Sequence, residues 1–465
     1  MLRRAVFGWL ILGSLVLLPS ATSIAADMND EFLQLVVKLI GDSDREFRAA
    51  GLDHVRTPAG GTEGTKLFAG RLPELDSEGQ TALVGALADR GDSAARPAII
   101  ALLSSSTDES VRAATISALG KLGKPADLTL LVTYLSSKSG AEQAAARATL
   151  TQMQGETINK ALAAELPSVS DAIKPALIEV LSARRAGNEL PAFLAASVDE
   201  NAQVRSAAMA ALGQLGDADQ LAAMIPGILK AQQGGERDAA ERSVALVCLR
   251  IDNEDQRGAK LIQALNAVDL DKRDQLLSLV GRVGGKKLID FVGQIATGSD
   301  AERRKLGIDA LSKWPDASTA DKLLEIVNST NDSAERSQAF QGYVKIAATR
   351  DQRNDRQRLD RMKQAMQAAK SNEEQLLVIN RCRTAYDVET LRFVLPYVDE
   401  ASFDQAACET IVELAHHREI RDPNKAEFGK ALDKVIAVSK NPEAIERANR
   451  YKRGETWERK AKSAN

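Results

Sequence analysis

Apolar residues recur at steps of three and four along most of this chain, in short runs separated by polar breaks. In the clearest run, Val111, Ala114, Thr115, Ala118, Leu119 and Leu122 fall on one face of a helix. A second run nearly repeats it. Val111-Arg112-Ala113-Ala114-Thr115-Ile116-Ser117-Ala118-Leu119-Gly120-Lys121-Leu122-Gly123 lines up with Val204-Arg205-Ser206-Ala207-Ala208-Met209-Ala210-Ala211-Leu212-Gly213-Gln214-Leu215-Gly216, 93 residues later, or three steps of 31. Weaker copies fall near 141–154 and 172–186, and others keep the arginine of the second position, at Arg48, Arg242, Arg273, Arg304 and Arg336. A more apolar helix is expected before each copy, as at 31–41, 95–106, 127–138, 257–268, 319–330 and 387–398. Pairing the two kinds gives about thirteen helix pairs between residues 31 and 453. One pair alone cannot bury its apolar face, so neighbours must stack into a continuous core.

Local signals set the boundaries. Asp108 and Asp199 are placed to cap helix N-termini, and Ser139…Glu142 and Ser299…Glu302 have the spacing of capping boxes. Gly123 and Gly216 are expected to end their helices in left-handed turns, and the Gly-Gly pairs at 60–61, 234–235 and 284–285 to turn the chain between helices. The motifs Asp108-x-x-Val111-Arg112…Ala118-Leu119-Gly120 and Asn201-x-x-Val204-Arg205…Ala211-Leu212-Gly213 resemble the HEAT and HEAT-like repeats, including the PBS lyase type. The resemblance implies an all-α fold, a right-handed α-solenoid of about 13 helix pairs. It also implies that the second helix of each pair lines a concave surface and that proteins are the usual ligands. Similar repeats occur in phycobilin lyases and beside haem- or carbohydrate-related domains in exported bacterial proteins.

Composition agrees with close-packed helices. The chain has 465 residues, 44% hydrophobic but only 4% aromatic, so its apolar mass is mostly Ala, Leu, Val and Ile. The net charge is -3 with acids and bases interspersed, which excludes the basic stripe of a nucleic-acid binder. The first 25 residues differ from the rest. Arg3 and Arg4 precede an apolar run over 5–18, then Pro19-Ser20 and the small-residue stretch Ser23-Ile24-Ala25. That is the layout of a cleavable signal peptide. The expected organisation is therefore a signal peptide (1–25), a repeat body (26–453, less regular after 349) and a charged, fraying tail (454–465). The mature chain is expected to be secreted or periplasmic, with no membrane span.

The chemistry-bearing residues are few. The arginine column reads either as a binding stripe or as a tie to an acid of the neighbouring pair, and the tie is the expected role. His416-His417 lacks a third ligand, and adjacent helical residues point apart, so no metal is expected. Cys248, Cys382 and Cys408 stand alone in their helices, which excludes a disulfide framework and suits packing. No CxxCH, GxSxG, P-loop or dinucleotide fingerprint occurs, so no cofactor is expected. The basic run over 350–363 is interleaved with Asp351, Asp355 and Asp360 and reads as a solvated helix. The function expected is an exported, non-catalytic scaffold that binds protein through its concave surface. Its contact set is Ala113, Ser117 and Lys121 in one repeat, and Ser206, Ala210 and Gln214 in another. The alternatives are a cofactor-handling or lyase-like repeat enzyme, which needs polar or reactive groups clustered in one groove, and a passive structural module of an envelope assembly.

Overall fold

In the computed structural model, which describes residues 21–457 without the side chains of 21–29 and Glu156, every regular element is helical and no strand occurs among the described residues. The chain divides into two compact units, up to Ala192 and from Phe193. The first holds five helix pairs: α1 (Ala21–Ile40) with α2 (Arg45–Val55), α3 (Gly61–Ala69) with α4 (Ser77–Arg90), α5 (Arg96–Ser105) with α6 (Glu109–Leu122), α7 (Leu128–Thr133) with α8 (Gly140–Gln152), and α9 (Glu156–Glu165) with α10 (Lys174–Ala183). The second unit begins inside α11 (Leu190–Ala196), which precedes α12 (Ala202–Leu215), and continues with α13 (Leu221–Lys230) and α14 (Gly235–Leu249). Next come α15 (Glu254–Asn266), the short α16 (Leu270–Asp274) and α17 (Leu277–Val283), then α18 (Lys286–Ala296) with α19 (Ala301–Ser312) and α20 (Ala320–Ser329) with α21 (Ser333–Ala347). The last are α22 (Asp355–Ala368) with α23 (Asn372–Cys382), α24 (Val388–Val394) with α25 (Asp404–His416), the one-turn α26 (Arg418–Arg421), and α27 (Lys425–Val438) with α28 (Pro442–Lys452). These are the thirteen pairs that the periodicity predicts. Residues 1–20 of the expected signal peptide lie outside the described residues, and 21–25 open α1; of the expected tail, 458–465 lie outside them.

Within each unit the second helices pack on one another in order. In the first unit α4 lies on α6, α6 on α8 and α8 on α10; in the second, α12 lies on α14, and the series runs through α17, α19, α21 and α23 to α25. Each unit is thus an α-solenoid with a core of shared layers. Val111, Ile116 and Leu119 of α6, and Val204, Ala208 and Leu212 of α12, are completely buried. The helices approach closely because small residues sit at the crossings. A Cβ on Gly213 would lie 2.9 Å from that of Ser243 on α14, and Thr149 of α8 donates its hydroxyl to the Ile116 carbonyl of α6 at 3.2 Å.

Several boundary expectations need correction. Asp108 caps α6 as expected, accepting from the Ser110 and Val111 amides. At α12, however, the cap is Asn201, which accepts from Gln203 and Val204; Asp199 lies two residues earlier and accepts from the Asn201 amide at 2.8 Å. Ser139 makes no cap bond, because its hydroxyl donates to Glu109 at 2.7 Å and Glu142 turns to Arg112. Asp300, not Ser299, caps α19. Gly123 and Gly216 have extended backbone (φ -71° and -70°) rather than left-handed. Glycine is needed there for room, since a Cβ at Gly216 would meet the Leu212 carbonyl oxygen at 2.7 Å. The Gly-Gly turns are as expected, with φ of 68° and 54° at 60–61 and 69° and 104° at 284–285.

A charge placed at Leu212 tests the layered core. Leu212→Asp is expected to cost several kcal/mol and to remove hydrogen-exchange protection first from α12 and α14, before α25. Uniform loss across the second unit would show one undivided core instead.

Candidate functional site

The arginine column is the most regular chemistry in the molecule, and its geometry explains its spacing. Each arginine stands one turn into a second helix. From there its guanidinium folds back to a carbonyl six residues earlier, at the end of the preceding first helix. Arg112 reaches the Ser106 oxygen at 3.1 Å, Arg205 that of Asp199 at 2.8 Å, and Arg304 that of Gly298 at 3.1 Å. The remaining guanidinium edge faces the next pair and meets a glutamate there. Arg112 bonds Glu142 at 2.6 Å, 30 residues on. Arg205 takes both oxygens of Glu236 at 2.8 and 3.0 Å, and Arg304 bonds Glu335 at 2.9 Å, each 31 residues on. Arg48 and Arg336 follow the rule in part, pairing with Glu78 and Glu374. In the weak copy on α8, Gln143 supplies the back-reaching bond with an amide, to Ser137 at 2.6 Å. The column is therefore the expected tie between neighbours, not a stripe open to a ligand.

Two expected members fall out of it. Arg242 is exposed and pairs with Asp238 on its own helix; Arg237 holds the buried position and donates to the Ile228 carbonyl at 2.6 Å. Arg273 lies on α16, where it bonds Asn266 at 2.8 Å and covers the Phe291 ring. It borders a cavity of about 610 Å³ whose rim also carries Lys287, Arg303, Asp290 and Asp300, so cations and acids are mixed there.

A further arginine set escapes the sequence reading. Arg90, Arg184 and Arg250 stand at or just beyond second-helix C-termini and reach back one whole pair. Arg184 donates to the Leu150, Thr151 and Met153 carbonyls at 2.7–3.0 Å, and Arg250 to those of Gly216 and Gln214 at 2.5 and 3.0 Å. Burial lowers the Arg90 and Arg184 guanidinium pKa values. The signal lay in the arginine that closes each of these helices, a place where sequence reading expects only a favourable dipole charge.

The predicted contact residues lie on the exposed faces of second helices. Ser117 and Lys121 of α6, and Ser206, Ala210 and Gln214 of α12, are exposed, while Ala113 is half-buried. Ser117 spends its hydroxyl on the Ala113 carbonyl at 2.9 Å. Lys121 is tied to Asp89 of α4 at 2.9 Å, and Asp89 also pairs with Arg56. On α14, packed beside α12, Leu246 and Leu249 are 53% and 47% exposed, a feature that repeat matching overlooks because it looks for buried positions.

The other candidates are absorbed by packing. Burial pushes the Cys248 and Cys382 thiols up to about 12 and that of Cys408 to about 11, which leaves little thiolate at neutral pH. His417 stacks on Tyr386 with ring centroids 3.6 Å apart, and burial lowers its pKa. His416 lies 3.0 Å from the Tyr451 hydroxyl. Among the described residues no group of three or more His, Cys, Asp or Glu is placed to hold a metal ion. The basic run over 350–363 is also more engaged than expected. Arg353 donates to the Ala347 and Thr349 carbonyls at 3.2 and 3.1 Å, Arg361 pairs with Asp321, and Leu359, Met362 and Ala365 are buried.

Arg205 is almost wholly buried, so Glu236→Gln leaves a buried charge and is expected to cost about 3 kcal/mol in chemical denaturation. The double change Arg205→Met, Glu236→Met should recover most of that loss. At the surface, the Lys121 bond, helped by Arg56, holds the Asp89 carboxyl below its usual range. A carboxyl lowered in the folded state stabilises above the ordinary carboxylate pKa, and that contribution is lost as pH falls through the folded value. Lys121→Met should therefore raise the Asp89 titration midpoint, read by NMR of the side-chain carboxyl.

Comparison with known proteins agrees with this repeat geometry. Residues 66–151 match the family of HEAT repeats, and residues 204–232 match the PBS lyase HEAT-like repeat. No curated protein matches the sequence. Among solved structures, the chain is similar to Kap121p bound to Nup53p, with 13% identity and a TM-score of 0.47, over 92% of this chain and 53% of that one. It is also similar to Kap95p in complex with RanGDP, at 13% identity and a TM-score of 0.40 over 91% and 65%, and to importin beta, at 11% and 0.31 over 90% and 72%. The chain thus spans about half the length of the Kap121p chain it matches. No helix among the described residues is long and apolar enough to cross a membrane. The thirteen helix pairs, the arginine ties at the repeat interval and the two matched segments make this chain a HEAT-like repeat protein.

Proposed function

We propose that the chain is exported and acts, without catalysis, as a scaffold that binds a protein partner through a concave surface formed by the exposed faces of its second helices. The observation that carries this reading is the row on α12 and α14. Ser206, Ala210 and Gln214 recur every four residues on α12, and Leu246 and Leu249 stand exposed on the adjoining helix. Small side chains let a partner backbone come close. The two leucines offer apolar area, each gaining about 1.5–3 kcal/mol on full burial. Rigid second helices hold the row in place, so a partner finds it already ordered and binding costs little rearrangement. The export part of the reading rests on the basic start, apolar run and small-residue site of residues 1–25.

Capture of a partner from the native envelope fraction, identified by mass spectrometry, is the test. Leu246→Asp with Leu249→Asp is expected to weaken capture at least tenfold while the helical circular-dichroism signal stays unchanged. Equal capture by the variant would move the contact elsewhere. N-terminal sequencing is expected to find a mature chain that begins near Ala26 outside the cytoplasm; Met1 recovered from a cytoplasmic pool would overturn export.

A further inference from the structure

We propose that the last helix pair carries a binding site for a phosphate monoester, in a cavity of about 420 Å³ between α26, α27 and the end of α28. Four cations line this cavity: Arg418 and Arg421 from α26, Lys425 from the start of α27, and Lys452 from the end of α28. Asp422 is the one acid on its wall, and it is already engaged, accepting from Arg418 Nε at 3.1 Å and from Arg421 Nε at 3.0 Å. It neutralises one of the two arginines. Asp433 neutralises Lys452. Lys425 has no acid partner among the described residues, so one arginine charge and Lys425 remain uncompensated, which matches the two charges of a phosphate monoester.

Arg421 gives the second, independent indication. The residue is 3% exposed, and its Nη1 donates to the Ala415 carbonyl at 3.0 Å, yet its Nη2 is buried without a hydrogen-bond partner. A buried, unmet guanidinium N–H is costly. Arg205 and Arg304 each have a glutamate from the next pair for this purpose; Arg421 has only its share of Asp422. The N-terminus of α27 adds favourable polarity, since Asn424 makes no side-chain cap bond there. Beside the cations, Phe428, Leu432 and the buried Tyr451, over whose ring the Arg421 guanidinium lies at 5.3 Å, supply apolar wall for an organic body. Gly429, on the same face of α27, leaves the space open: a Cβ there meets nothing within 4 Å. A carboxylate carries too little charge for this set, and inorganic phosphate leaves the apolar wall unused.

Calorimetry on the full chain with phenyl phosphate, inorganic phosphate and benzoate tests the site. Phenyl phosphate is expected to bind one to one, at least tenfold more tightly than either of the others. Lys425→Glu should weaken it at least tenfold. Gly429→Leu should abolish it without lowering the melting temperature, because leucine fills the cavity and suits a helix better than glycine. Lys345→Glu, a charge reversal on the exposed side of α21, should leave it unchanged. Vesicles containing phosphatidate, compared with phenyl phosphate, show whether a lipid headgroup or a soluble ester is the better source; binding of either supports the site if Gly429→Leu abolishes it. Absence of saturable binding, survival of binding in Gly429→Leu, or equal weakening by Lys345→Glu would overturn the proposal.

Discussion

A helix ends in carbonyls that its own turns cannot satisfy, and most of this molecule is helix ends. With thirteen pairs of short helices, the supply of hydrogen bonds to those ends decides whether the layers hold together. The guanidinium group meets the need. Arg112, Arg205 and Arg304 close first helices from within the pair, and Arg184 and Arg250 close second helices from the pair that follows. A guanidinium carries five donors on a rigid plane, so one residue serves a carbonyl on one edge and a neighbouring glutamate on the other. A lysine in the same place would satisfy the carbonyls but lose the two-edged geometry.

This constraint also explains why the core is built from small residues. If the arginine of one pair is to reach the glutamate of the next, successive second helices must lie close. Gly213 against Ser243, Gly342 against Ser312 and the Thr149 hydroxyl on the Ile116 carbonyl keep them so. The low aromatic content follows from the same spacing. Of the few aromatic residues, Phe193, Phe340, Tyr343 and Phe428 are wholly buried.

The sequence makes the repeat visible because its period is written in residues that face the core. Val111, Leu119, Val204 and Leu212 sit where periodicity puts them. Features decided by competition between bonds were less legible. Asp199 and Asn201 both suit a cap, and the choice follows from where the chain enters α12. Arg242 and Arg237 are five residues apart, so spacing alone could not say which is buried. Glu142 has capping-box spacing, yet the guanidinium of Arg112 outbids the backbone amide for it. Exposed features were least legible of all: Leu246 and Leu249 belong to no pattern of the repeat, and Lys425 draws its significance from groups as distant in sequence as Lys452.

The reach of the arginine ties bears on how such a chain can change its length. Donor and acceptor are 30 or 31 residues apart at Arg112, Arg205 and Arg304, but 38 apart at Arg336 and Glu374. The excess is about two helical turns, and it is taken up by the longer approach to α22 and by α22 itself, with the glutamate bond kept. Additions are thus tolerated where they lengthen a first helix or the loop before it. Duplication or loss of a whole period keeps the tie only where the incoming pair has a glutamate just before its own arginine position, as at Glu142, Glu236 and Glu335; the same place holds Val111 in α6, Val204 in α12 and Arg303 in α19. A fragment of a period inserted within a second helix would separate all later donors in that helix from their acceptors. Growth by whole units is thus selective: a joint keeps its tie when the incoming unit brings that glutamate and loses it when the unit brings a valine.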